Sequence, residues 1–190
     1  MIFTETKLSG AYIIDVKKIE DERGFFGRSY CQKEFEALGL NTNAVQSNVS
    51  YNKKKGTLRG LHMQLPPYGE TKLIRCTRGA LYDVIVDLRP GSPTFKQWIG
   101  VELTANNYRM LYVPEGFGHS FITLEDETEA TYQVTGFYTP KAERGFRFDD
   151  PAFNIEWPIQ PEVVSEKDRN HPLFTDAALV MAEEPIATQP

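Results

Sequence analysis

Cysteine, histidine, positive charge and long apolar runs are all scarce in this chain, and each scarcity excludes something. Only Cys31 and Cys76 occur, far apart and without CxxC spacing, so they read as the reduced thiols of a cytoplasmic protein. No stretch approaches the ~18 apolar residues of a membrane span, and the start, MIFTETKLSGAY, lacks the basic end and apolar run of a signal peptide. Lys and Arg total 21 against 26 Asp and Glu, a net charge of -5. A generally basic surface for nucleic acid is thereby excluded, and an anionic ligand must be met by a local cluster of Arg and Lys. The three histidines, His62, His119 and His171, are never closer than 52 residues and form no HxH pair, which argues against a metal site. Helical periodicity is confined to Gln32–Leu38, where Phe35 and Leu38 share a face and Gly39 can close the end.

What is present reads as β structure. Hydrophobic residues at 41% and charged residues at 25% are ordinary for a globular chain, and 190 residues suit one domain. That domain is expected over 1–174, with 175–190 as a frayed tail. Short β-type runs begin at Ala11 (AYIID), Gly24 (GFFGRSY), Lys72 (KLIRC), Ala80 (ALYDVIVDL), Arg109 (RMLYV), Ser120 (SFITL) and Ala130 (ATYQV), punctuated by Gly and Pro. Many short strands at this spacing predict an all-β sandwich or barrel. In the run from Ala80, Tyr82, Val84, Val86 and Leu88 share one face and Leu81, Asp83, Ile85 and Asp87 the other, so its apolar face is expected to be core.

Two segments carry candidate chemistry. In TLRGLHMQ, Thr57 to Gln64, His62 stands three residues after Arg59, and Lys72 opens the next run. Taken singly, His62 reads as a half-buried histidine bonded to a carboxylate; its company raises it to a candidate base. Strict alternation sends Arg59 and His62 to opposite faces, so a shared site needs a bulge, which Gly60 permits. In ATYQVTGFYTP, Tyr132 and Tyr138 are six residues apart and share a face on an unbroken strand; two such tyrosines also suit plain packing.

DERGFF, QSNVS, TLRGLHMQ, KLIRCTRGALYDVIVDLRPGSPTFKQW, VPEGFGHSF and SEKD occur in an order that resembles the dTDP-4-dehydrorhamnose 3,5-epimerases, from about Met1 to Leu173. The resemblance implies a cupin-type jelly roll with a few short helices, a homodimer, and a nucleotide-sugar substrate handled without metal or organic cofactor. It implies inversion of C3 and C5 of dTDP-4-dehydro-6-deoxy-D-glucose on the way to L-rhamnose. Both carbons lie α to the C4 ketone, so the chemistry needs a base, a group to hold the enolate oxygen, and an acid on the opposite face.

By the same resemblance His62 is the base, Asp168 orients it, Lys72 holds the C4 oxygen and Tyr132 returns a proton. Substrate-binding positions fall on Arg23, Phe26, Arg28, Gln46, Asn48, Arg59, His119, Tyr138, Glu143 and Lys167. A guanidinium forks onto phosphate oxygens, which suits Arg23 and Arg59. Arg28 stands where many members carry glutamate, Gln133 where lysine is common and Phe137 where tyrosine is expected. If Arg28 faces the pocket it meets a phosphate or base carbonyl; if it faces outward it is a solvated charge. The rival readings are a relative that inverts one centre or takes a CDP-linked sugar, a metal-dependent cupin enzyme, and a sugar-binding jelly roll without activity.

Overall fold

Strands that bury one face need a second layer to bury it against. The computed structural model, which describes residues 1–180, solves this with two facing sheets. In chain order the strands are β1 (Ile2–Glu5), β2 (Tyr12–Asp15), β3 (Ile19–Asp21), β4 (Gly24–Phe26), β5 (Gln46–Asn52), β6 (Thr57–Gln64) and β7 (Lys72–Arg78). There follow β8 (Ala80–Asp87), β9 (Trp98–Thr104), β10 (Met110–Val113), β11 (Phe117–Thr123), β12 (Thr128–Val134), β13 (Glu143–Gly145) and β14 (Val163–Val164). Helix α1 spans Gln32–Glu36 and α2 spans Glu166–Arg169. One sheet runs β1-β2-β10-β7-β12-β5 and the other β13-β6-β11-β8-β9, with β14 parallel to β6 and every other pairing antiparallel. Ile74, Leu111 and Ala130 of the first sheet pack on Leu81, Ile85, Leu103 and Phe121 of the second. This is the cupin-type jelly roll, and β3–β4 stands apart from it as a hairpin.

Strand β8 is buried on both faces, where the sequence pointed to one. Leu81 and Ile85 face the first sheet, while Val86 and Leu88 pack with Leu61, Met63, Phe146, Phe153 and Phe174 on the far side. The segment after β13 therefore covers the second sheet, and each fully buried side chain of this kind contributes ~1.5–3 kcal/mol. Asp83 and Asp87 are carried inside with no exposed surface. Burial alone would raise the Asp87 carboxyl, but Arg89, Ser92 Oγ at 2.5 Å and Thr94 Oγ1 at 2.6 Å donate to it and hold its pKa at about 2.

Two local expectations change. Gly39 does close α1, with φ +70° and bonds from Gly39 N–H to Glu36 and from Leu40 N–H to Phe35. The apolar partner of Phe35 is Leu40, beyond that glycine, whereas Leu38 points to solvent. In GFFGRSY only Gly24–Phe26 is strand, because Gly27 lies against Val16 so closely that a Cβ would stand 2.2 Å from its side chain. The AYIID run supplies β2, which is flanked by β1 and β10. The expected tail falls largely outside the described residues; within them Asp176–Leu179 form a 3-10 turn whose Ala178 and Leu179 pack beside Phe174. Among the described residues no helix is long and apolar enough to cross a membrane.

Candidate active site

The register of β6 against β11 places the first group of residues. His119 pairs with His62, but Phe121 pairs with Arg59, so three steps on β6 answer two on β11. The extra residue is a β-bulge at Gly60, whose φ of +99° suits glycine. No side chain fits there, since a Cβ would stand 2.4 Å from the His119 carbonyl oxygen. The bulge resets the parity, so Arg59 and His62 both line one cleft while Leu61 and Met63 turn into the core behind. Asn52 Oδ1 accepts from Arg59 Nε at 2.7 Å and fixes the guanidinium.

The cleft has a volume of about 780 Å³ and is lined by Arg59, His62, Lys72, His119, Tyr132 and Asp168, among others. A second lobe of about 370 Å³ adds Gln46, Asn48, Tyr138 and Glu143 and shares His62, Lys72 and Tyr132. Those three residues therefore stand where the lobes meet.

His62 Nε2 lies 2.6 Å from Asp168 Oδ1, across 106 residues of chain. Helix α2 presents the carboxylate: its cap Ser165 accepts from Asp168 N–H at 3.0 Å and donates Oγ–H to Asp168 Oδ2 at 2.9 Å. Burial would raise the Asp168 carboxyl, but the hydrogen bond and charge of His62, with the donors Ser165 and Gly60 N–H, bring its pKa down to about 2. An ionised carboxylate only accepts, so His62 Nε2 carries the proton and the ring's lone pair sits on Nδ1. A proton-accepting nitrogen with a fixed tautomer results.

Lys72 and Tyr132 belong to the facing sheet, on the adjacent strands β7 and β12. Lys72 Nζ stands 3.3 Å from Glu70 Oε1, both largely buried. Burial, and secondarily the Glu70 charge, raises the Tyr132 phenol above its usual value while Arg59 opposes them, so the hydroxyl is a proton donor at neutral pH. In the second lobe Tyr138 donates to Glu143 at 3.1 Å, Lys167 bonds both Glu143 oxygens at 2.9 and 2.8 Å, and Gln46 Oε1 accepts from Tyr138 N–H. Burial opposes it, yet Lys167 and Tyr138 lower the Glu143 carboxyl. His119 Nε2 is 2.7 Å from Asp83 Oδ1 on the cleft floor.

Three expected site residues lie elsewhere in this chain. Arg23, with 84% of its side chain exposed, pairs with Asp21 at the tip of the β3–β4 hairpin. Phe26 ends that hairpin and is 71% exposed, and Arg28 pairs with Glu34 at 2.9 Å on the side of α1. None of them lines the cleft, so Arg28 faces neither phosphate nor base within its own chain. Conversely, Asn52, Glu70, Asp83, Ser165 and His171 support the site without having been singled out for it. Only Ser165 left a signal in the sequence, since S-E-K-D has the spacing of a helix cap. The separation of the histidines also proves no barrier to a cluster: ligand atoms of His62, Asp168 and His171 lie within 4.8 Å of one another.

Comparison with known proteins agrees with this geometry. The family model described as dTDP-4-dehydrorhamnose 3,5-epimerase matches residues 5–176. The chain is 48% identical over 174 residues to the dTDP-4-dehydrorhamnose 3,5-epimerase of Shigella flexneri, covering 91% of this chain and 96% of that one. It superposes with a TM-score of 0.87 and 45% identity on the Bacillus anthracis dTDP-4-dehydrorhamnose 3,5-epimerase with TDP and PPi bound, covering 91% of this chain and 99% of that one. A similar match, TM-score 0.86 and 38% identity over 97% of this chain and 99% of the other, is to the Legionella pneumophila dTDP-6-deoxy-D-glucose-3,5-epimerase in complex with dTDP-4-keto-L-rhamnose.

Proposed function

Because the chain belongs to the dTDP-4-dehydrorhamnose 3,5-epimerase family, we propose that it inverts C3 and C5 of dTDP-4-dehydro-6-deoxy-D-glucose, giving dTDP-4-dehydro-L-rhamnose, with no metal or organic cofactor. The observation that carries the mechanism is the placing of His62 on one sheet and Tyr132 on the facing one, with Lys72 beside Tyr132. A sugar ring between them meets a base on one face and a proton donor on the other.

His62 Nδ1 takes the proton from the carbon α to the ketone, and the electron pair passes into the C4 oxygen as an enolate. Lys72 holds that oxygen's negative charge. Asp168 stabilises the imidazolium, and Tyr132 delivers a proton to the opposite face of the carbon. His62 then releases its proton and Tyr132 regains one from water, so each inversion is proton-neutral. The same groups serve the second carbon. Arg59, His119 and Lys167 supply the cationic and donor groups for the diphosphate lobe, and Gln46, Asn48, Tyr138 and Glu143 line the other.

The protein acts as a homodimer. A hairpin that exposes Ile19 and Phe26 beside Arg23 is an unusual free surface. Placed in the cleft of a second copy, it brings Arg23 and Phe26 to the substrate, where the family pattern has them, and Arg28, just past the hairpin, to a position where many members carry glutamate.

The test is incubation with dTDP-4-dehydro-6-deoxy-D-glucose in D2O. The expected result is deuterium and inversion at both C3 and C5. His62→Asn abolishes exchange at both carbons, a loss on the scale of the ~10²–10⁴ that a general base supplies. Tyr132→Phe retains exchange but depresses inversion. Exchange at wild-type rate in His62→Asn overturns the mechanism, and deuterium confined to one carbon replaces the double inversion with a single one.

A further inference from the structure

His171 has no part in the proton transfers above, yet it is packed against them. Its ring meets that of His62 edge-on, with centroids 5.6 Å apart and planes at 85°. Its Nε2 is buried, has no hydrogen-bond partner among the described residues, and lies 3.4 Å from Asp168 Oδ1. The position is tightly held, because a Cβ on Gly145 would fall 2.2 Å from the ring. A buried ring nitrogen left unpaired costs free energy, so a structure that keeps one aimed at a carboxylate raises the matter of what satisfies it.

We propose that His62, Asp168 and His171 form a binding site for one divalent transition-metal cation of the zinc type, and that occupation of this site arrests the enzyme. Two imidazoles and a carboxylate are the donor set of open zinc sites, in which a fourth position remains for water. Bond lengths of 2.0–2.1 Å in a tetrahedron set ligand atoms ~3.3–3.4 Å apart. The His171 Nε2 to Asp168 Oδ1 distance of 3.4 Å already has that value. His62 Nε2, at 2.6 Å from the same oxygen, needs to open by less than an ångström.

The surroundings meet the other needs of such a site. Ser165 Oγ steadies the second carboxylate oxygen, as outer partners of metal ligands do. His62 is about one-third exposed to the cleft, which gives the ion an entry path. The charged groups nearby are Lys167 on α2 and Glu143 on β13, already paired with each other.

Arrest follows from the tautomer, and this part rests on the function proposed above. A cation takes the electron pair of His62 Nε2, and the proton shared there with Asp168 passes through solvent to Nδ1. The neutral ring then keeps its single proton on Nδ1, the atom that has to accept one from the sugar. No lone pair remains on the ring, and the base is lost without any change of fold.

Calorimetric titration of the full-length protein with ZnCl2, in the absence of substrate so that no diphosphate carries the ion, tests the site directly. One zinc per chain is expected, and Co²⁺ in its place should give the intense visible absorption of a tetrahedral site. His171→Asn should weaken zinc binding by at least the roughly 10–100-fold that losing even an outer partner costs, and His171→Gln checks that packing alone is not the cause. In turnover assays zinc should inhibit the wild type, EDTA should reverse it, and whatever activity His171→Asn retains should resist zinc. An absent or superstoichiometric isotherm, or one unchanged in both His171 variants, overturns the site. Stoichiometric binding without inhibition overturns the arrest alone. Failure of metal-free turnover would instead strike the proposed function, which the calorimetry does not use.

Discussion

Replacing Gly60 by alanine tests whether the bulge in β6 places the base. The residue has a φ of +99°, and its Cβ would meet the His119 carbonyl oxygen at 2.4 Å, Ser120 Cα at 3.0 Å and Ser120 Cβ at 3.1 Å. The first two are backbone atoms of β11, hydrogen-bonded to both β6 and β8, so neither can yield without opening a ladder. Left-handed strain costs about 1–2 kcal/mol and overpacking about 1–3, a total of about 2–5 kcal/mol. For a chain of this size that lowers Tm by roughly 4–20 °C. Gly91 is the control: its φ is +80°, but among the described residues nothing lies within 4 Å of its Cβ position, so Gly91→Ala carries the strain without the collision. Urea unfolding at constant m separates the two variants through their midpoints. Because an ångström of misplacement is worth about 10² in rate, Gly60→Ala should also lose kcat/KM well below its melting range. Equal destabilisation by the two substitutions, or a destabilised Gly60→Ala with intact kcat/KM, would refute the reasoning.

Asp87→Asn should cost about 2 kcal/mol at neutral pH, the worth of holding a carboxyl at about 2 against its ordinary 3.8. Wild-type stability from this group is complete above pH 4 and lost as the pH falls through 2, so the variant's acid denaturation should be flatter in that window, read by urea midpoints at each pH. Tyr138→Phe, which loses the bond to Glu143, should raise KM about 2–10-fold and leave kcat nearly unchanged in steady-state assays; a fall in kcat alone would contradict a binding role. Turnover should survive exhaustive treatment with EDTA, and loss of activity restored by Zn²⁺, Mn²⁺ or Fe²⁺ would refute the cofactor-free mechanism.

The strands whose buried residues alternate, such as β7 and β12, were legible because period two and burial coincide there, and β10 because its short run is apolar and buried throughout. β5 was not read as a strand, since Gln46, Asn48 and Ser50 put polar groups on the half-buried side that faces the cleft. Asp83 was hidden for a related reason: it shares its face with Leu81, Ile85 and Asp87, and only the fold reveals that His119 of the neighbouring strand β11 bonds it. Motif order pointed to Arg59, His62, Lys72, His119, Tyr132 and Asp168, and the structure gathers these in one cleft. Arg23 and Phe26 belong to the same motif string, and Arg28 follows it, but all three lie outside that cleft, because motif order carries no information about where a hairpin docks.

The 106 residues between His62 and Asp168 also set a timetable for synthesis. At about 5–20 residues per second, Ser165 and Asp168 leave the ribosome roughly 5–20 s after the strand they complete. In that interval both main sheets can form, and Arg59 can find Asn52, seven residues away. The imidazole, however, has no carboxylate to select its tautomer, and the cover of the second sheet, which already has Phe153, still lacks Phe174. Translation thus yields the walls of the cleft before its base is set, and a chain stopped short of Ser165, without Lys167 and Asp168, is expected to be trapped at that stage.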